Sequence, residues 1–137
     1  MNPYTAAQYQ AYRQTEAQTA SPTELVVMLY RGAVRFAKAG IDGVNRKDIQ
    51  AAHTGFVRAQ QIVTELNTTL NMEHGGDIAK QLRAIYTFVN QLLIQANIQK
   101  TVEPAEHAVE LLEGLLSAWV ELNRAEVVKS LASSRAA

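Results

Sequence analysis

The sequence predicts an all-α protein: an antiparallel, up-down-up-down four-helix bundle with an N-terminal arm. Three observations carry this. Apolar residues recur at helical spacing in four stretches of the chain. Short breakers punctuate them, above all Asn71–Asp77, with paired glycines, and Thr101–Pro104. Alternation of apolar and polar residues never lasts for the length of a strand. Long helices joined by short loops pack as antiparallel neighbours. The 137 residues suit one domain, and a hydrophobic share of 47% can supply its core.

Residues 1–20 are rich in Gln, Ala and Tyr, show no clean period, and read as a loosely attached arm. The bundle domain takes residues 21–123. Its first helix runs from about Pro22 to about Asn45. Ser21 is a natural N-cap, Pro22 suits the first turn, and Glu24 completes a capping box. Gly40 and Gly43 weaken its end. Asp48 is placed to cap helix two, which runs to about Leu70 with Ala52, Phe56, Ala59, Ile62, Val63, Leu66 and Leu70 as its stripe. Gly75 and Gly76 can take the positive φ of a helix stop. Asp77 is expected to cap helix three, about 78–99, with Ile78, Leu82, Ile85, Val89, Leu92 and Ala96 inward. Pro104 starts helix four, about 104–123, with Ala108, Leu111, Leu112, Leu115, Trp119 and Leu122 inward. Residues 124–137 form a tail whose Val127, Val128 and Leu131 extend the helix or fray.

Composition narrows the function. Formal net charge is zero, so neither nucleic acid nor an anionic membrane is an expected partner. There is no cysteine, which removes disulfides, thiol catalysis and thiolate metal sites and fits a cytoplasmic protein. Met1-Asn-Pro-Tyr4 lacks the basic start and apolar run of a signal peptide. No apolar run approaches the ~20 residues of a membrane span. A carboxylate-bridged metal site in a bundle needs Glu-x-x-His pairs. The residues three before His53, His74 and His107 are Gln50, Asn71 and Pro104, so none exists. Glu106, Glu110, Glu113 and Glu121 follow the polar side of helix four and read as a solvated face. No catalytic, cofactor or metal site is expected, and the chain does not read as an enzyme.

The sequence carries more apolar surface than a bundle needs. On helix one, Leu25, Met28, Leu29, Gly32, Ala33 and Phe36 line one face. Val27, Tyr30, Val34 and Ile41 line roughly the opposite one. On helix four, Val109, Leu116 and Val120 widen the arc to about half the circumference at 3.6 residues per turn. Helix three has no charged residue from Ala84 to Gln99, and its outer positions are Thr87, Asn90, Ile94, Asn97 and Ile98. An uncharged face of amides and isoleucines suits a groove for another amphipathic helix, with apolar anchors and amides for register. Ile94, Asn97 and Ile98 are the expected groove residues. Val27, Tyr30 and Val34 are expected to be covered by the arm or by a bound partner. Tyr9 and Tyr12, with Tyr4, make the arm a candidate lid. An irregular deep core with scattered surface apolars remains the plainer alternative.

The chain resembles the flagellin export chaperones, the FliS family. The resemblance rests on Tyr9 and Tyr12 in a Gln-rich arm, TASPTELVVMLYRGAVRF at 19–36, AQQIVTELNTTL at 59–70, GGDIAKQLRAIY at 75–86 and LIQAN at 93–97, and covers about residues 4–123. It implies a four-helix bundle in the bacterial cytoplasm that binds the C-terminal segment of newly made flagellin. It also implies that the bundle blocks premature polymerisation and assists flagellar type III export, without nucleotide or cofactor. The arm would sit where flagellin binds and move aside, and other flagellar regulators or export components are left open as further partners. The rival reading is a structural or regulatory bundle that dimerises through its spare stripes.

Overall fold

The computed structural model describes residues 21–136. Among them are four α-helices: α1 (Pro22–Asn45), α2 (Ile49–Thr68), α3 (Gly76–Gln99) and α4 (Glu103–Ala136). Each helix packs on the next, and α4 closes back on α1. Cross-helix contacts fix the directions. His53, Thr64 and Asn67 of α2 meet Asn97, Asn90 and Arg83 of α3, so the two run in opposite senses. Gly40 lies against Phe56 and Gly32 against Ile62, which sets α1 antiparallel to α2. Tyr30 meets Trp119 and Lys38 meets Glu113, which sets α1 antiparallel to α4.

The caps explain the boundaries. The Ser21 hydroxyl accepts the Glu24 N–H at 3.2 Å, and Asp48 accepts the Ala51 N–H at 3.0 Å. The third helix differs from expectation. It starts at Gly76, whose φ is +56°, with Gly75 in the cap position and Asp77 inside the first turn. Asn71 decides this. Its carbonyl accepts the Gly75 N–H at 2.7 Å and its side chain accepts the His74 N–H at 3.1 Å, so the turn is closed before Asp77 is reached. Asp77 instead complements the positive end of the helix dipole. The fourth helix continues through the segment read as a tail, to Ala136. No Gly or Pro interrupts it there, and Glu121 pairs with Arg124 at 3.4 Å. From Arg124 to Ser134 every residue is exposed, so this end reaches past the bundle.

The core is built on Tyr30, Phe56, Val63, Leu66, Tyr86, Val89, Leu93 and Leu112. Small residues bring α1 and α2 close. A Cβ on Gly55 would fall on the Gly40 backbone nitrogen, with the Gly40 Cα at 2.7 Å and the Phe36 carbonyl oxygen at 2.8 Å. The sequence marks Gly40 as a weak spot near the end of α1; the structure makes it the place where the second helix crosses.

The second stripe on α1 is buried in the structure. Tyr30 is 0% exposed, and Val27 and Val34 are buried as well. Tyr30 and Val34 belong to the continuous core of the bundle. The helix is gripped on two flanks, by α2 along Gly32, Gly40 and Gly43 and by α4 along Val34 and Lys38, so both stripes are used. Tyr30 is enclosed in the core, while Val34 sits at its edge, beside the α1–α4 seam. Two residues read as inward are exposed: Ile78 at 70% and Leu122 at 46%. Ile78 lies in the first turn of α3, and Leu122 lies where α4 begins to project past the bundle, so in both places neighbouring helices no longer cover the arc.

Candidate functional site: the groove between α2 and α3

The outer face of α3 keeps the character its sequence suggests. Ile94 and Ile98, one turn apart, are 44% and 78% exposed, and Phe88 is 43% exposed. Thr87, Gln91 and Gln95 stand exposed between them. On the α4 side, Phe88 is braced edge-on by His107, with ring centres 5.5 Å apart.

On the α2 side, a polar ladder forms the groove wall. Arg83, Asn90 and Asn97 stand seven residues apart, two helical turns, and so share one flank. The Arg83 Nε–H donates to Asn67 Oδ1 at 3.4 Å, and the Asn90 amide donates to Thr64 Oγ1 at 3.2 Å. The Asn97 amide lies 3.0 Å from His53 Nδ1. Asn97 is the most constrained of these. The Lys100 ammonium donates to its carbonyl at 2.6 Å and to its Oδ1 at 2.5 Å. Lys100 sits at φ 52°, where the chain leaves α3, which folds its side chain back onto the last turn. With Oδ1 held by the ammonium, the amide N–H is the atom turned toward His53, which accepts it as the Nε2–H tautomer.

Of the sequence-derived candidates, the structure brings Ile94, Asn97 and Ile98 together on one surface. It places Val27, Tyr30 and Val34 in the interior, away from it. Tyr9 and Tyr12 lie outside the described residues. Sequence reading missed His53, Thr64, Asn67 and Arg83 as the groove's polar rail. The seven-residue spacing of Arg83, Asn90 and Asn97 was the available signal.

Beneath the groove, the hydroxyls of Tyr30 and Tyr86 meet at 2.5 Å across the bundle diagonal. Tyr30 also lies 6.2 Å from the Tyr86 ring and 6.4 Å from Trp119. Burial pushes the Tyr30 phenol far above its ordinary range, and the bond to Tyr86 adds to the shift. Burial also raises Tyr86, while its bond to Tyr30 draws it back. Two buried hydroxyls that satisfy each other make a core contact. Among the described residues, no three His, Asp or Glu side chains are grouped to hold a metal ion. None of the described helices is long and apolar enough to cross a membrane.

The fold and this surface define a class: an all-α four-helix bundle whose third helix keeps an uncharged, partly apolar outer face. Comparison with known proteins gives the family. The family model described as Flagellar protein FliS matches residues 5–126, and the chain belongs to the FliS family. It is 35% identical to the flagellar secretion chaperone FliS of Campylobacter jejuni, over 88% of this chain and 94% of that protein. It is 30% identical to the Bacillus subtilis protein of the same name, over 91% and 89%. The Salmonella typhimurium protein is 29% identical, over 88% and 93%. The family match stops at residue 126, so the last turns of α4 lie outside it.

Proposed function

We propose that this chain is an export chaperone of the bacterial cytosol that holds the C-terminal segment of flagellin along the α2–α3 groove. The observation that carries this is the exposure of Ile94 and Ile98 beside the fixed Asn97 amide, on a helix face without charge. An isoleucine pair one turn apart is how a groove receives the apolar stripe of a helix. Ordering a disordered segment costs about 2–5 kcal/mol, so the interface must be long, and the face from Phe88 to Ile98 offers that length. The chain acts by binding and not as an enzyme. Occupying the polymerising end of the client blocks filament formation and keeps it ready for export. Tyr9 and Tyr12 of the N-terminal arm are proposed as residues that compete for, or line, the same surface.

Ile94→Lys with Ile98→Lys tests the groove. Burying a large aliphatic side chain is worth about 1.5–3 kcal/mol, so losing two anchors should weaken binding of a flagellin C-terminal peptide by at least about 30-fold. Unchanged affinity in a folded double variant overturns the groove. The rival reading is dimerisation through exposed apolar surface, and Val127, Val128 and Leu131 on the projecting end of α4 favour it. Sizing with and without the peptide separates the two. A monomer that becomes a one-to-one complex supports the chaperone, and a dimer indifferent to the peptide supports the rival.

A further inference from the structure

The α1–α4 seam lies on the side of the bundle opposite the α2–α3 groove, because α1 contacts α2 and α4 while α3 contacts α2 and α4. It forms an open trough. Arg31, Arg35 and Lys38 of α1 stand along one wall, with Glu113, Leu116 and Ser117 of α4 along the other and Val34 in the floor. The charges are unevenly satisfied. Lys38 is bridged to Glu113 at 3.0 Å. Beside Arg31 and Arg35, α4 presents Leu116 and Ser117, and among the described residues neither arginine has a carboxylate within ion-pair distance. The two arginines stand one helical turn apart. Arg35 is also braced, its guanidinium 5.3 Å from the centre of the Phe36 ring, which Arg58 approaches at 5.5 Å from α2.

We propose that this trough is a second docking surface that takes an acidic amphipathic segment of a partner protein, separate from the client groove. Charge complementarity specifies the occupant. Arg31 and Arg35, one turn apart and without a carboxylate partner among the described residues, match two carboxylates at the same spacing on a helix, each able to form a bidentate contact. The apolar floor of Val34 and Leu116 receives a side chain between them. A nucleic acid or an anionic membrane fits less well. The trough is short and its third cation, Lys38, is already paired with Glu113, so it offers no extended basic tract for a run of phosphates. The trough lies on the opposite side of the bundle from the α2–α3 surface proposed for the client.

The test uses the full chain and a fluorescent synthetic helical peptide carrying glutamates four residues apart around a leucine, with a glutamine-substituted peptide as its control. The glutamate peptide should bind at least about 10-fold more tightly than the control, and the preference should fade as salt shortens the Debye length from about 10 Å to about 3 Å. Arg31→Glu with Arg35→Glu should abolish the preference. The milder Arg31→Gln with Arg35→Gln should reduce it while circular dichroism stays unchanged. Ile94→Lys with Ile98→Lys should leave peptide binding intact, and the arginine variants should leave flagellin-tail binding intact. Equal binding of the two peptides, or indifference to the arginine variants, overturns the proposal. So does loss of flagellin-tail binding in the arginine variants, or retention of anionic vesicles or single-stranded RNA in place of the peptide.

Discussion

The two long seams on opposite sides of this bundle are built on the same core and turn out chemically unlike. Along α2–α3 the wall is Asn67, Thr64 and His53 against Arg83, Asn90 and Asn97, and the face beyond it is Phe88, Ile94 and Ile98. Along α1–α4 the wall is Arg31, Arg35 and Lys38 against Glu113, Leu116 and Ser117. The amide seam ties α2 to α3 through neutral side chains and one arginine, and under the proposed function it would set a client's register at little electrostatic cost. The charged seam acts over a longer range and weakens in salt, so it suits steering and selection of a partner. The difference shows that the flanking positions, one step out from the buried stripe, decide what a bundle helix can hold.

Both seams depend on how closely α1 and α2 approach, and the largest expected effect breaks that approach. Gly55→Ala sets a methyl group against the Gly40 backbone and should cost about 2–3 kcal/mol, read as a lower urea midpoint, with binding at both seams weakened together. Next is the tyrosine pair beneath them. Tyr30→Phe strands the Tyr86 hydroxyl and should cost about 1–2 kcal/mol, whereas Tyr30→Phe with Tyr86→Phe should recover most of it. The same pair gives a pH test. Unfolded phenols ionise near pH 10 while the folded ones stay protonated, so above that pH the unfolded state binds fewer protons and stability falls as pH rises. The expected loss is about 1.4 kcal/mol per pH unit from Tyr30, with Tyr86 adding in the same direction, and both are absent from the double phenylalanine variant.

Smaller effects sharpen the contrast between the seams. Asn97→Ala should weaken flagellin-tail binding by about 1 kcal/mol with little change in salt dependence, measured by calorimetry at two ionic strengths. A steep salt dependence there would erase the distinction between the seams. Glu113→Gln should change stability by less than about 0.5 kcal/mol, because the Lys38–Glu113 pair is exposed. It should also make the acidic peptide bind more tightly, since Lys38 is released toward the trough.

The second stripe of α1 shows where sequence reading stops. The periodicity of Val27, Tyr30 and Val34 correctly marks them as apolar positions, but nothing in it says how many neighbours the helix has. The exposure of Ile94 and Ile98 was legible because a run without charge on a long amphipathic helix is itself a surface property. Their partners on α2 were not, since His53 and Thr64 look like ordinary solvated residues until α3 is laid beside them. Arg31 and Arg35 read likewise as a solvated face, and only the uncharged Leu116 and Ser117 across the seam leave them unmatched.

The sequence alone determined that four helices form, where the first two begin, and that the third carries an uncharged outer face, because caps, turns and periodicity are local. Tertiary structure decided that Tyr30 closes the core against Tyr86, that Gly40 and Gly55 set the crossing of α1 and α2, and which helix flanks face each other. Those outcomes depend on contacts between residues far apart in the chain. No local preference encodes them, and they are fixed only when the helices pack.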